Sequence, residues 1–221
     1  MWRFHATPNG TKHSNIRQAV AIDCEMGTAA SGDSELIRVT LIDYFSSAIL
    51  VDSLVYPDVE MSHYNTRFSG VTKKDIEIAR AKGTCFRGRD QARTAVWRFV
   101  GPNTVVVGHS AQNDLTAMRW IHSIVVDTLL IESTKAKAAQ QTKEVQPPIV
   151  ESTGAGATPA KQTPRKGRKS SGILSLKTLA MVRLGREIQA SGKKGHDSLE
   201  DALAARDLAH SQCMSVRLKG R

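Results

Sequence analysis

The sequence predicts an α/β protein built on a mixed β-sheet flanked by helices, and three observations carry that prediction. Three strand-like runs follow one another near the start, at Ala19 to Cys24, Leu36 to Tyr44 and Ala48 to Tyr56. A strand–helix–strand alternation comes later, and helical spacing returns towards the end. A meander followed by βαβ alternation is the pattern of a sheet with both strand senses, covered by helices.

The elements follow in order. The segments Gly27 to Ser34 and Phe45-Ser46-Ser47 are small and polar, as hairpin connections are, so the first three strands form an antiparallel meander. Helical spacing appears over Lys74 to Ala81 and over Arg89 to Val100, where Ala92, Ala95, Val96 and Phe99 recur on one face. Gly101-Pro102-Asn103 breaks that helix. Thr104 to Val107 is a continuous β-branched run, the mark of a strand covered on both faces. A helix over Ala111 to Ile121, a short strand over Ile124 to Asp127 and helices over Ile173 to Leu184 and Ser198 to Ser211 complete the pattern.

Residues 1–17 are a polar lead-in, 18–212 the folded domain and 213–221 a tail. Within the domain, residues 135–171 contain almost no large apolar side chain and are expected to be a disordered basic insertion, because ordering them gains too little burial. Its last part, Lys161 to Lys169, is a basic cluster with two open readings: a solvated linker, or a phosphate-binding or nuclear-import segment.

The 221 residues, 40% hydrophobic, suffice for one good core. A formal net charge of +10 favours a polyanionic partner such as nucleic acid. Cys24, Cys85 and Cys213 are few, dispersed and odd in number, which speaks against a disulfide framework or a structural zinc site and for a reducing compartment. Met1 to His5 lacks the apolar core of a signal peptide, and no run reaches the roughly 18 apolar residues of a membrane span. A soluble intracellular protein with no membrane partner is expected, and a monomer, since neither heptads nor a long apolar edge strand is evident.

Asp23 and Glu25 are the first candidates for chemistry. They lie one residue apart in the apolar run Ala19 to Met26, so they share one face of the strand while Ile22, Cys24 and Met26 take the other. Two carboxylates on a half-buried face repel each other and lose hydration unless a cation sits between them. Taken alone, such a pair more often marks a strand end with acids in water. Asp114 adds a third carboxylate in the first turns of a helix directly after a buried strand, although a first-turn acid answering the helix dipole is the simpler account of it alone. In His196-Asp197-Ser198-Leu199-Glu200-Asp201, Asp197 and Glu200 have the spacing of a capping box. Asp201 has no such job and sits among Leu199, Ala202, Leu203 and Ala205, where packing would favour an apolar side chain. His196 follows the glycine- and lysine-rich stretch 192–195 and could reach the same place from a mobile loop.

Together Asp23, Glu25, Asp114 and Asp201 are the parts of a two-metal site for phosphoryl chemistry. Two Mg²⁺ ions (or Mn²⁺) roughly 3.5–4 Å apart would activate a water and stabilise the leaving oxygen. His196, with a near-neutral pKa, would be the general base.

Ala21 to Met26, Gly108-His109 through Asp114-Leu115, and His196 to Ala202 resemble, in this order, the three motifs of the DEDDh exonuclease family. The form Asp23-Cys24-Glu25-Met26, with Tyr64-Asn65-Thr66-Arg67-Phe68-Ser69-Gly70-Val71-Thr72, is similar to the Rex-type RNA exonucleases and their interferon-induced relative. The resemblance covers residues 18–211. It implies an RNase H-like fold, the four carboxylates as metal ligands, His196 as base, and removal of nucleotides from single-stranded RNA 3′ ends as nucleoside 5′-monophosphates, with rRNA precursors as substrate and the nucleus or nucleolus as location. It also assigns Met26 and Gly27 to the terminal nucleotide. Arg67 and Phe68 are candidates for phosphate pairing and base stacking, or else for structural roles. Compact relatives have a shorter connection where this chain has its insertion. Action on DNA, or binding of nucleic acid without turnover, are the alternative readings.

Overall fold

The computed structural model describes residues 3–9, 15–144, 172–190 and 195–219. The predicted meander is present as β2 (Ala19–Ala29), β3 (Ser34–Asp43) and β4 (Ile49–Tyr56), antiparallel in sequence. To these the later chain adds β7 (Val105–Gly108) and β9 (Val125–Asp127), parallel to β2 and to each other. With β6 (Phe86–Arg87) parallel to β4 and β5 (Met61–His63) beside the end of β2, the main sheet of the described residues has the order β6-β4-β3-β2-β7-β9. It is a mixed sheet flanked by helices, an RNase H-like α/β fold.

Each face of the sheet is covered differently. Val20, Ile22, Cys24, Leu36, Val39 and Leu41 form a core with Ala92 and Val96 of α3 (Gly88–Val96) and Ala117 of α4 (Ala111–Ala117). On the opposite face Ala21, Ile42 and Val107 pack against Ala202 and Ala209 of α7 (Ser198–Lys219). Beside α7, Ile37 packs with Val71 and with Ile76 of α2 (Lys73–Lys82), a helix started by a Thr72–Asp75 capping box. Behind α7 lies α6 (Leu176–Leu184), with Leu176, Leu179 and Ala180 against Ala204, Ala205 and Leu208.

Four features differ from the sequence expectation. The helix after β7 ends at Ala117, because Trp120–Ile121 leave as β8 to pair in parallel with β1 (His5–Ala6). The lead-in therefore packs on the domain, with Thr7 Oγ1 accepting the Trp120 indole N–H at 2.8 Å. The expected disordered insertion does not begin at 135, because α5 (Thr128–Glu144) runs through Lys135-Ala136-Lys137-Ala138-Ala139. Those residues bury little, but alanine, lysine and glutamine are strong helix formers, and the Glu132–Lys135 ion pair is spaced for a helix. Residues 145–171, including the basic cluster 161–169, lie outside the described residues. The expected tail also begins inside α7, which continues to Lys219. No described helix is long and apolar enough to cross a membrane.

Candidate active site

The site forms where β2 outruns its parallel neighbour. Pairing of β2 with β7 ends at Ala21 and Val107, and three residues further on the Cys24 N–H is met by Asp114 Oδ1 at 2.9 Å. A strand amide left without a partner strand thus fixes the α4 carboxylate beside Asp23 and Glu25. The turn that delivers α4 is tight: Gly108 is followed by Ser110 in the left-handed region at φ 64°, with its N–H on Asp127 Oδ1 at 3.0 Å. A Cβ on Gly108 would stand 2.8 Å from that of Ala111, so the turn requires glycine.

Asp23 and Glu25 point to the α7 face, as the strand period predicts, and the even-numbered neighbours point to the α3–α4 core. A bulge between Glu25 and Met26, where Ile37 has no opposite number, ends the regular pairing. Glu25 stands directly across from Arg38. Arg38 binds both oxygens of Asp52, at 3.1 and 3.2 Å, and reaches Asp197 at 3.4 Å.

Across the face, α7 brings Asp201, buried to 4% exposure. The helix start is fixed by Ser198, whose hydroxyl meets that of Thr40 at 2.7 Å, and by Asp197, which accepts the Leu199 N–H. The predicted reciprocal capping by Glu200 is replaced: Glu200 accepts the Gln189 N–H at 2.7 Å, because the preceding loop folds back across the helix start. His196 lies with Nδ1 3.7 Å from Asp201 Oδ2. Its backbone is anchored, not free: His196 N–H donates to Phe68 O at 2.6 Å, and Gly195 at φ 77° lies so close to Gly70 that a Cβ would come within 2.2 Å of its nitrogen. Residues 191–194 lie outside the described residues.

The electrostatics follow from crowding. Burial first, then the charges of Asp114, Asp201 and Glu25, hold Asp23 well above the carboxylate range, against the pull of Arg38. Burial and then Asp201 push Glu25 to about 9, again opposed by Arg38. Asp114 rises to about 8, chiefly by burial, against its bond from the Cys24 N–H. Asp201 rises to about 6 by burial, eased by the Gln189 amide. His196 is held below the usual imidazole range by burial and then by Lys177, so it is neutral and able to accept a proton at neutral pH.

All five residues read as the reaction centre therefore converge from β2, α4 and the α6–α7 loop with the first turns of α7. The proposed substrate contacts are spread around them. Gly27 is pressed against β5, with space for a Cβ closed by the Met61 side chain at 2.5 Å and His63 O at 2.7 Å. The Met26 carbonyl accepts from Asn65 Nδ2 at 3.3 Å, while its side chain packs partly against the core. Arg67 and Phe68, on α1 (Thr66–Ser69), are exposed, the guanidinium 5.8 Å from the ring centroid, and neither is a buried structural residue. Sequence reasoning missed Arg38 and Gln189. Arg38 had a signal in its place in an otherwise apolar β3 run; Gln189 lies in a loop and had none.

Four hard oxygen donors, raised chiefly by burial and, for Asp23 and Glu25, by the neighbouring carboxylates, form a set suited to Mg²⁺ or Mn²⁺. Among the described residues no three His, Cys, Asp or Glu groups close on one common point, so the carboxylates are gathered but not drawn in to coordination distance.

An RNase H-like sheet carrying Asp23, Glu25, Asp114, His196 and Asp201 in this arrangement resembles a DEDDh-type exonuclease domain. In sequence the chain is similar to proteins named RNA exonuclease 3. It is 32% identical to that of Emericella nidulans over 93% of this chain and 30% of the relative, and 31% identical to that of Candida albicans over 91% of this chain and 39% of the relative. It therefore spans only about a third of the length of these curated relatives. The human protein named putative exonuclease GOR is 40% identical over 50% of this chain and 15% of its own length. No family model matches the chain. Among solved structures, the Neurospora crassa Pan2 catalytic unit superimposes with a TM-score of 0.64 at 19% identity, over 98% of this chain and 31% of that one. The Saccharomyces cerevisiae Pan2 pseudoubiquitin hydrolase–RNA exonuclease module in complex with AAGGAA RNA gives 0.63 at 22% identity, over 96% and 31%. At these identities the structural likeness establishes the fold.

Proposed function

We propose that this chain hydrolyses RNA from its 3′ end, releasing nucleoside 5′-monophosphates, with two divalent cations, Mg²⁺ or Mn²⁺, held by Asp23, Glu25, Asp114 and Asp201. The observation that carries the reading is the convergence of four mutually repelling carboxylates with a neutral histidine. A carboxylate cluster without an organic role at its centre favours cations, and cations bound there supply Lewis-acid stabilisation of phosphate charge.

The chain's own groups perform the rest. His196, its backbone fixed by Phe68 O and with Asp201 beside its Nδ1, takes the proton of the attacking water. Asp197 next to it is tied to Arg38, so the histidine segment is held to β3 as well as to α1. Phe68, exposed beside this segment, offers a stacking face for a base near the 3′ end, and Arg67 a charge for the backbone phosphate. Met26 and Gly27 border the terminal nucleotide where β2 passes the bulge. RNA as substrate rests on the names of the relatives and on the net charge of +10, which suits a polyanion. Processing of rRNA precursors in the nucleus or nucleolus is the setting we assign to it.

The test is a time course on 5′-labelled single-stranded RNA and DNA of matching sequence, with Mg²⁺ or EDTA, using the parent and Asp23→Ala. A ladder shortening from the 3′ end, faster on RNA and absent with EDTA or in the variant, is the expected result. Degradation of DNA at least as fast moves the substrate class to DNA. Binding without shortening makes the chain a nucleic-acid-binding module.

A further inference from the structure

We infer that Gln189 is a positioning residue for Asp201: its side-chain amide fixes the orientation of that carboxylate at the edge of the acidic cluster. The inference rests on the reading of Asp201 as a cation ligand.

The geometry is specific. Gln189 Nε2 donates to Asp201 Oδ2 at 2.9 Å and more weakly to Oδ1 at 3.2 Å. Oδ2 is also the oxygen 3.7 Å from His196 Nδ1. Oδ2 is thus engaged on the side of the loop, and Oδ1, with the longer bond, retains lone pairs for a cation. Gln189 is itself fixed at three points. Its N–H donates to Glu200 Oε2 at 2.7 Å, its carbonyl accepts from Lys177 Nζ at 3.1 Å, and the preceding residue, Ile188, is fully buried in the α6–α7 core.

The backbone shows that this placement is imposed. Gln189 sits in the left-handed region at φ 54°, a conformation costly for a side chain that is neither glycine nor asparagine. Glycine would relieve that cost but would remove the amide. Nothing about chain reversal here requires glutamine, whereas the two bonds to Asp201 do. Asp201 is 4% exposed, so water cannot readily replace the lost donor. Hydrogen-bonded partners of ligating carboxylates commonly set ligand orientation, and their loss costs about 10- to 100-fold in metal affinity.

The experiment is a titration of the full chain, free of nucleic acid, with Mn²⁺ followed by isothermal calorimetry and by the electron paramagnetic resonance signal of free Mn²⁺. The parent is compared with Gln189→Ala and with Gln189→Met, which keeps the side-chain length and removes only the donor. Far-UV circular dichroism and metal-free melting temperature check that both variants are folded. Mn²⁺ affinity about 10- to 100-fold weaker in both, with the metal-free melting temperature close to the parent, is the expected result. Parent-like affinity in both variants overturns the inference, and so does tighter binding, which would mean that the amide competes with the cation. A parent that binds no Mn²⁺ overturns the cation reading of the site itself, and this inference with it, so the two failures are distinguishable.

Discussion

The two faces of β2 are made from one stretch of chain and do opposite things. Towards α3 and α4, Val20, Ile22 and Cys24 are buried in a continuous apolar core. Towards α7, only Ala21 packs in the same way before Asp23 and Glu25 take over. The apolar face gains from every contact, and its residues are interchangeable in kind so long as volume is kept. The acidic face is held together against lost hydration and its own repulsion, which together raise the Asp23 and Glu25 carboxyls. A rigid core on one side lets the strand carry an arrangement on the other that would not persist alone.

Substitutions on the two faces should separate stability from turnover. The largest effect is expected for Asp23→Ala: exonuclease turnover falls on the order of 10⁴-fold, while the metal-free protein melts at a higher temperature because a buried carboxyl whose ionisation the fold disfavours is gone. A variant that is less stable without metal would place Asp23 among the structural acids. His196→Ala should lower kcat about 10²- to 10⁴-fold with Mn²⁺ affinity unchanged, measured by single-turnover kinetics and calorimetry; a large loss of Mn²⁺ binding would assign the imidazole to the metal instead.

Ile22→Ala is the converse experiment one residue away. It should cost about 2–5 kcal/mol in denaturant unfolding, by lost burial and a residual cavity, with turnover of the folded protein within a few-fold of the parent. Strong loss of turnover at full folding would show that the two faces are not independent.

The acidic face should also make metal-free stability fall with pH. The fold keeps protons on Glu25 up to about 9, Asp114 up to about 8 and Asp201 up to about 6, whereas the unfolded chain releases them near the ordinary values of 4.5, 3.8 and 3.8. Between those limits the folded state binds more protons than the unfolded one, so the stability present at about pH 4 is lost as pH rises towards 9. Melting curves in EDTA should therefore move down over this range, and Mg²⁺ should flatten the trend; a rise with pH in EDTA would contradict the crowding. The smallest effect is expected at the rim. Phe68→Ala should raise KM roughly fivefold, about 1 kcal/mol of stacking, and leave kcat alone.

Much of this was legible in the sequence because it depends on local periodicity. The alternation of Ala19 to Met26 determined that Asp23 and Glu25 share a face, and the oddity of Asp201 among Leu199, Ala202, Leu203 and Ala205 marked it as inward-facing with a role other than packing. The β-branched run at Thr104 to Val107 marked the parallel strand that leads into α4 and Asp114, since a strand covered on both faces has no room for polar alternation.

Tertiary structure alone decided the rest. The pairing of His5–Ala6 with Trp120–Ile121 joins segments more than a hundred residues apart, and neither is long enough to show a period. The α5 helix extends through residues with little to bury because intrinsic propensity carries it, a weaker signal than an apolar stripe. Which amide meets Asp114, which oxygen of Asp201 Gln189 engages, and how Arg38 ties Asp52 to Asp197 depend on distances of a few ångströms between elements far apart in the chain. Sequence supplies the functional groups and the face each occupies; the close approach that raises their pKa values and poises them for a cation exists only once the sheet and α7 are packed together.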